Sequence, residues 1–522
     1  MSFTSAEFIG FLLLTLAAYY LLPRRFQWIV LLVASYGFYL CGGVGALGYL
    51  LFTTLTTYGA GLWLGKLNLR RQALPPEARP AANALKRRKQ LIVALVTVIN
   101  FGLLYVVKYW DFTADAVASF SGSRLQLPRL DLLMPLGLSF YMFQSIGYVI
   151  DCYRGKYPPQ RNVAKFALFT SFFPQMIQGP ISRYGQLGNQ LTAQHPFDAD
   201  NLKYGIQLAM WGYLKKLVIA DRAAVAVNTV FDNPSGYGGA MTALAVGFYC
   251  IQLYCDFSGG IDITRGVAQM LGIHLEENFR RPIFAASLSE YWRRWHMTLG
   301  SWMKDYLFYP LSLSKPFGRL GKFTRKKIGG KLGKILPTSL ATFIVYFVIG
   351  IWHGANFRYI AFGLWNGVLI TGSLLLANSW IALRNALHIS DSSRGLQVFR
   401  VLRTMALVFI GRYLTRAPRL LTALSMLWTT LTKPCLYQVA DGTILRLGLQ
   451  VSDLVIILAG TVSVLAVECY QERGGQVRKA LERRGFGIQW LCILLPLVIL
   501  LLFGILRGGY IASEFILSLI HI

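Results

Sequence analysis

Residues 91–109 read LIVALVTVINFGLLYVVKY, an apolar stretch with a single lysine near its end. A helix of about 20 apolar residues crosses the hydrocarbon core of a bilayer, so this stretch predicts a transmembrane helix. Similar runs recur along the chain, for example at 8–22, 132–150 and 336–351. The chain is therefore predicted to be an all-α polytopic membrane protein, and 522 residues could hold about 11–12 transmembrane helices.

The overall composition favours the same class. Hydrophobic residues make up 55 % of the chain and charged residues 14 %, whereas soluble globular proteins carry about 25 % charged residues. This composition excludes a collagen, a disordered chain, a secreted disulfide scaffold and an outer-membrane barrel. The seven cysteines form no C-x-x-C pair, so we expect neither a disulfide framework nor a bound metal.

Basic residues outnumber acidic ones by 52 to 23. They collect in short segments between apolar runs, which is typical of cytoplasmic loops rather than of nucleic-acid binding. The segments 66–89 and 315–334 are predicted to be such loops, and 111–130 is predicted to be an outer loop. A polybasic loop could also bind anionic head groups or an acidic acyl carrier protein.

The run at 166–181 is interrupted by Pro174, Gly179 and Pro180. Broken backbone at membrane depth must be buried in protein, so we predict a re-entrant segment here rather than a span. The stretch 291–310 is also predicted to lie partly in the membrane. The protein should therefore have fewer true spans than apolar runs.

Ionisable residues within apolar segments are the first candidates for function. His353 lies in FVIGIWHGAN at 347–356, where Gly350, Gly354 and Ala355 leave space around the imidazole. A buried histidine can equally be a hydrogen-bonded packing residue, so the position alone leaves both interpretations open.

His296 lies in EYWRRWHM at 290–297. If this stretch is helical, Trp292 and Arg293 share a face with His296 through their spacing of four and three residues. Arginines beside tryptophans could hold an anionic group, or they could form an aromatic belt with arginines that reach the membrane interface.

A third cluster, QLYCDFSGGID at 252–262, places Asp256 and Asp262 around a glycine pair. We expect a break in the apolar region that lines a polar cavity or coordinates a cation. Alternatively, Asp262 caps the next helix. The sequence contains no metal-ligand spacing, G-x-S-x-G elbow, Walker loop or dinucleotide fingerprint.

Seven motifs in order carry a family resemblance: MPLGLSFY at 134–141, FPQ at 173–175 with GPISRY at 179–184, YCDFSG at 254–259, ENF at 277–279, YWRRWH at 291–296, DYL at 305–307 with Pro310, and WHGAN at 352–356. Together they resemble the membrane-bound O-acyltransferase (MBOAT) family, most closely its bacterial branch that modifies alginate, peptidoglycan, cellulose and teichoic acid. One segment departs from that branch: FIGRYLTRA at 409–417 replaces its aromatic-rich W-x-F-F-R-A.

The resemblance implies one membrane-embedded domain over 1–522, with core motifs at 134–367 and C-terminal helices at 400–522. It implies an MBOAT-type bundle with re-entrant and interfacial helices, multi-pass in the bacterial cytoplasmic (inner) membrane. The expected reaction moves an acyl group, by preference acetyl, toward hydroxyls of an extracytoplasmic polysaccharide or cell-wall polymer. The donor would be a cytoplasmic thioester, acetyl-CoA or an acyl carrier protein, with no tightly bound cofactor. An extracytoplasmic partner of the SGNH-hydrolase type would receive the group.

The resemblance also implies the site residues. His353 corresponds to the family's active-site histidine and His296 to its second histidine. Neutral imidazole can take a proton from a hydroxyl near neutral pH, which suits His353 as general base or acyl relay. The supporting residues would be Asp256, Trp292, Arg293, Trp352 and Asn356.

Two alternatives stay open. Within the family, the chain could be the D-alanyl transfer subunit of teichoic acid assembly. Outside it, many spans and broken helices would suit a transporter or polysaccharide flippase, although the sequence shows no visible internal repeat.

Overall fold

The structure is a computed structural model that describes residues 1–330 and 332–505. Lys331 lies outside the described residues, and so does the C-terminal segment 506–522. The last residue of the apolar run at 488–506 belongs to that segment.

Most of the described residues are helical, and the only β-type pairing among them is one antiparallel bridge between Phe279 and Trp295. The helices in the first half are α1 (Ala6–Leu21), α2 (Gln27–Leu40), α3 (Val44–Gln72), α4 (Arg79–Phe120), α5 (Leu138–Arg154), α6 (Val163–Ser171), α7 (Phe173–Met176), α8 (Tyr184–Thr192), α9 (Ala199–Tyr213), α10 (Asp221–Asp232) and α11 (Gly239–Met270). A π-helical segment, Leu214–Ala220, joins α9 to α10.

The helices that follow are α12 (Leu288–Arg294), α13 (Met297–Met303), α14 (Tyr309–Ser312), α15 (Lys315–Ile328), α16 (Leu332–His353), α17 (Phe357–Leu375), α18 (Ala377–Ala386), α19 (Arg394–Arg416), α20 (Leu420–Thr432), α21 (Tyr437–Ala440), α22 (Val451–Glu472), α23 (Val477–Glu482) and α24 (Phe486–Phe503). A second π-helical segment, Lys304–Phe308, joins α13 to α14. The predicted all-α class is confirmed.

Five of the described helices are long and apolar enough to cross a membrane, namely α4, α11, α16, α22 and α24. The pair α17 and α18, bent by 58°, would make a sixth if it forms one span. Many apolar side chains on these helices face outward, such as Leu501 and Leu502, as lipid-facing side chains do. The chain is therefore a multi-pass membrane protein, while the larger number of spans stays a prediction.

Two of the three segments predicted to be loops are largely helical, and the third is helical in its first half. In 66–89, α3 continues to Gln72 and α4 begins at Arg79; in 111–130, α4 continues to Phe120. In 315–334, α15 covers Lys315–Ile328. The two basic segments are helical because basic residues identify a membrane-flanking segment without excluding a helix. Lysine, arginine, leucine and alanine are all good helix formers. That the two basic segments face the cytoplasm stays a prediction.

The predicted break near Pro174 is present. Helix α6 ends at Ser171, α7 covers only Phe173–Met176, and α8 begins at Tyr184. At nine residues, α6 is about 13 Å long, which is too short to cross a bilayer. The side chains at 166–182 are buried, as broken backbone in a membrane protein requires. That the segment is re-entrant remains a prediction.

The described residues form two compact units. The first contains Met1–Ala209 and Ile261–Glu276, and the second contains Met210–Gly260 and 277–505. In the first unit, Leu50, Leu104 and Met142 belong to one buried cluster. Every residue predicted for the active site lies in the second unit. That the whole chain is a single domain remains a prediction.

In the second unit, α16 and α17 pack with their backbones in direct contact at Gly350 and Gly363. A Cβ atom at Gly350 would lie 2.6 Å from the Tyr359 carbonyl oxygen and 2.8 Å from the Gly363 Cα atom. Small residues allow membrane helices to approach this closely. The close pairing fixes the C-terminal end of α16, where His353 lies.

We expect Gly350→Ala to destabilise this helix pair, because the added methyl group meets backbone that cannot rotate away. The expected cost is about 1–3 kcal/mol. Gly372→Ala is the matched control, since Gly372 lies in α17, the other helix of the pair, and a Cβ atom there meets nothing within 4 Å. Thermal unfolding of the detergent-solubilised protein measures the difference. Equal melting temperatures for the two variants would contradict the packing argument.

Candidate active site

His353 is the last residue of α16, and the connection to α17 turns directly after it. Its ring centroid lies 5.0 Å from that of Trp352, 5.9 Å from Phe362 and 6.4 Å from Tyr359. The side chain is half-buried. An aromatic wall thus holds the imidazole at the end of a helix.

Asn356, predicted to support the reaction, is the N-cap of α17. Its side-chain oxygen accepts a hydrogen bond of 3.1 Å from the backbone N–H of Arg358. An N-cap satisfies one of the free donors at a helix start. Asn356 therefore shapes the turn that follows His353, and any direct part in the reaction stays a prediction.

His296 has a left-handed backbone conformation, with φ 47° and ψ 51°. Helix α12 ends before it, at Arg294, and α13 begins after it, at Met297. The prediction that Trp292 and Arg293 share a helical face with His296 is therefore wrong. The histidine is buried, whereas Arg293 is exposed. Such strained backbone in a residue other than glycine persists only where the surroundings enforce it, and it is enriched at functional sites.

Residues 278–280 enforce this conformation by pairing with 294–297 like two short strands. The Arg280 N–H donates to the Arg294 carbonyl oxygen at 2.8 Å, and the Met297 N–H donates to the Asn278 carbonyl oxygen at 2.9 Å. The bridge between Phe279 and Trp295 lies between these two bonds. The motifs ENF and YWRRWH thus form one structural unit around His296.

The structure brings the two predicted histidines to the same indole ring. The Trp352 ring centroid lies 6.1 Å from the His296 ring and 5.0 Å from the His353 ring. Phe257 packs edge-on against His296 at 4.9 Å. His296 is 3 % exposed, so its surroundings disfavour a charged imidazolium.

Trp292 forms part of the wall next to His353. Its indole N–H donates to the Asn366 side-chain oxygen at 3.0 Å. Its ring lies 6.0 Å from that of Phe362, which also contacts His353. The structure therefore places Trp292 close to His353, although Trp292 does not share a helical face with His296.

Asp256 forms a buried ion pair with Lys216. The Lys216 Nζ atom lies 2.6 Å from Asp256 and 3.5 Å from Asp221. Lys216 belongs to the π-helical segment, and all three side chains are buried. Because the next residue after Asp256 is Phe257, this ion pair anchors the part of α11 that packs on His296.

The predicted break at Gly259 and Gly260 is absent, because α11 continues without interruption from Gly239 to Met270. Asp262 lies inside the helix and does not cap one. Gly259 has a packing role, because a Cβ atom at this position would lie 2.7 Å from the Gly212 carbonyl oxygen. Glycine in a membrane helix here permits close contact rather than ending the helix.

Arg412 is a site-adjacent residue that the sequence analysis did not select. It is 5 % exposed, donates to the Tyr291 hydroxyl at 2.5 Å and lies 5.0 Å over the Trp295 ring. It also lines a small cavity with Trp292 and Phe362. The sequence did contain a signal for Arg412, because an arginine within an apolar run such as 401–414 is energetically costly in a membrane and therefore marks a candidate functional site.

Arg294, the residue after Arg293, forms ion pairs with two acidic side chains. Arg294 pairs with Glu290 at 2.8 Å and with Glu472 at 2.9 Å. These ion pairs tie α12 to the C-terminal end of α22.

Among the described residues, no group of three histidine, cysteine or acidic side chains could hold a metal ion.

Comparisons with known proteins place the chain in a family. The model of the MBOAT, membrane-bound O-acyltransferase family matches residues 160–325. The chain is 32 % identical over 484 residues to the probable alginate O-acetylase AlgI of Pseudomonas syringae pv. tomato, covering 91 % of this chain and 83 % of the relative. It is 31 % identical over 519 residues to the Pseudomonas putida protein of the same name, covering 96 % of both. The teichoic acid D-alanyltransferase of Bacillus subtilis is more distant, at 28 % identity over 51 % of this chain and 64 % of that protein. The chain belongs to the membrane-bound O-acyltransferase family and is an O-acyltransferase.

Proposed function

We propose that this O-acyltransferase moves an acetyl group from a cytoplasmic thioester to hydroxyls of an extracytoplasmic polysaccharide, in the inner membrane of a bacterium. The observation that carries the proposal is the arrangement of His296 and His353 around Trp352. The relatives named alginate O-acetylases, which match nearly the whole chain, support acetyl as the acyl group.

The proposed chemistry requires one base and a good leaving group. The His353 imidazole takes the proton of the acceptor hydroxyl as its oxygen bonds to the acyl carbon. The carbon–sulfur bond breaks, and the donor leaves as a thiolate that regains a proton. The products are an ester and a free thiol. The aromatic side chains around His353 keep the reacting carbonyl away from bulk water, which would otherwise hydrolyse the thioester.

The proposal includes partners on both faces of the membrane. Helix α15 carries basic side chains along its length and has no acidic residue, which favours an acidic acyl carrier protein or an anionic lipid surface as its neighbour. An SGNH-hydrolase-type acyltransferase on the outer face would complete the transfer to the polymer. Acetyl-CoA is the alternative donor.

The experiment that tests the function is complementation of a deletion strain with wild type or His353→Ala at equal membrane abundance. We expect acetyl esters on the extracytoplasmic polymer with wild type and their loss with the variant. Unchanged acetyl content in all strains would contradict the proposal, and changed polymer export without any change in esterification would favour a flippase.

A second candidate is D-alanyl transfer to teichoic acid, favoured by the similarity to the Bacillus subtilis protein. Mass spectrometry of the esters released from the polymer by mild base separates the two functions. Acetate supports the first proposal, and D-alanine replaces it with the second.

A further inference from the structure

The Asn278 side chain collects three hydrogen bonds on a single oxygen atom. Its Oδ1 atom accepts from the Thr298 backbone N–H at 3.0 Å and from the Thr298 hydroxyl at 2.9 Å. The Nδ1 atom of His296 lies 3.2 Å from the same oxygen. Asn278 is 1 % exposed, so these contacts are shielded from water.

These contacts determine the orientation of the amide. A backbone N–H can only donate, so the Asn278 atom that faces Thr298 must be the oxygen and not the NH₂ group. An amide oxygen carries no proton, so the ring nitrogen that faces it must donate. His296 therefore carries a proton on Nδ1, and in the neutral ring Nε2 is the basic nitrogen.

Asn278 also holds the backbone of His296. Its carbonyl oxygen accepts from the Met297 N–H at 2.9 Å, directly after the left-handed residue. One residue thus fixes both the conformation of His296 and the tautomer of its ring. The Asn278 Nδ2 atom is buried without a hydrogen-bond partner among the described residues, so the side chain is used through its oxygen.

We propose that Asn278 is a positioning residue, which acts through His296 by keeping the proton on Nδ1 and presenting Nε2 as the basic atom. The catalytic consequence rests on the proposed acyl transfer, whereas the tautomer does not. Besides Asn278, the groups near the imidazole include Phe257 from α11, and Trp352 and His353 from α16. His353 is the titratable one of these.

The tautomer is tested without any activity assay. Protein labelled with ¹⁵N-histidine is reconstituted in lipid, and the spectrum of His296→Ala is subtracted to isolate the His296 signals. We expect a protonated Nδ1 and an unprotonated Nε2 at neutral pH. A spectrum with the proton on Nε2 would overturn the inference whatever the function of the protein.

The catalytic consequence is tested with two substitutions of Asn278 in an acyl-transfer assay. Asn278→Leu removes the acceptor, and we expect a loss of at least about tenfold in kcat. Asn278→Asp keeps an oxygen for all three donors but adds a negative charge beside the ring. Since a nearby carboxylate favours the imidazolium, the acid limb of the pH–rate profile should move to higher pH by about one unit.

Two controls separate positioning from a structural role. Asn100→Leu removes another fully buried asparagine, which lies in α4, and should change stability without moving the pH profile. In a His296→Ala background, Asn278→Leu should cause no further loss, because residues that act as one unit are not additive. Additive losses, or a profile unmoved by Asn278→Asp, would overturn the positioning role. Absence of transfer by wild type would instead count against the proposed function.

Discussion

Replacing His353 with alanine is expected to reduce acyl transfer by at least about 100-fold, because general-base catalysis contributes about 10²–10⁴-fold. The imidazole is the ionisable group at the end of α16, held by the rings of Trp352, Phe362 and Tyr359. Alanine removes the base but leaves these aromatic side chains in place. The measurement is the initial rate of transfer by the purified variant in lipid nanodiscs.

The matched control is His388→Ala, since His388 is exposed in the connection between α18 and α19. It should retain the wild-type rate. Both variants should show the same melting temperature as wild type, which separates lost chemistry from lost folding. Full activity of His353→Ala would exclude this residue as general base or acyl relay.

The second large effect concerns folding rather than chemistry. Asp256→Ala should destabilise the protein by about 3–5 kcal/mol, because it removes one partner of a buried ion pair. Lys216, 6 % exposed, would keep only the longer contact of 3.5 Å to Asp221. We expect less folded protein in the membrane and a lower melting temperature, measured after solubilisation.

Two further variants test that explanation. Asp115→Ala breaks an ion pair with Arg129 that is more than half exposed, so it should change stability by about 0–1 kcal/mol. Adding Lys216→Met and Asp221→Asn to Asp256→Ala removes every charge of this buried cluster and should restore much of the stability. If the triple variant is no more stable than Asp256→Ala, charge burial is not the cause.

The apolar periodicity and motif order were sufficient to predict a helical membrane protein and to select His353 and His296. They were not sufficient for local geometry. The conformation of His296 depends on a pairing with Asn278, 18 residues earlier, and no local pattern signals it. Helical spacing was therefore applied to 290–297, where the helix in fact ends at Arg294.

The glycine pair in α11 was another source of error. A glycine pair usually weakens a helix, but Gly259 is required by contact with the neighbouring Gly212 backbone, which the sequence does not reveal. The ion pair of Asp256 could not be predicted, because its partner, Lys216, lies 40 residues earlier in a π-helical segment. A supporting role of Asp256 in the reaction stays a prediction. Arg412 could have been selected by applying to α19 the rule that selected His353.

The most direct measurement of the central claim is transfer of a radiolabelled acetyl group by the purified protein in nanodiscs. Acetyl-CoA and an acetylated carrier protein would be offered as donors, with a hydroxyl-bearing polysaccharide and the outer-face partner protein as acceptors. We predict ester-linked label with wild type, and loss of this label with His353→Ala. Equal labelling with both proteins would contradict the role of His353, and no labelling with any donor would contradict acetyl transfer itself.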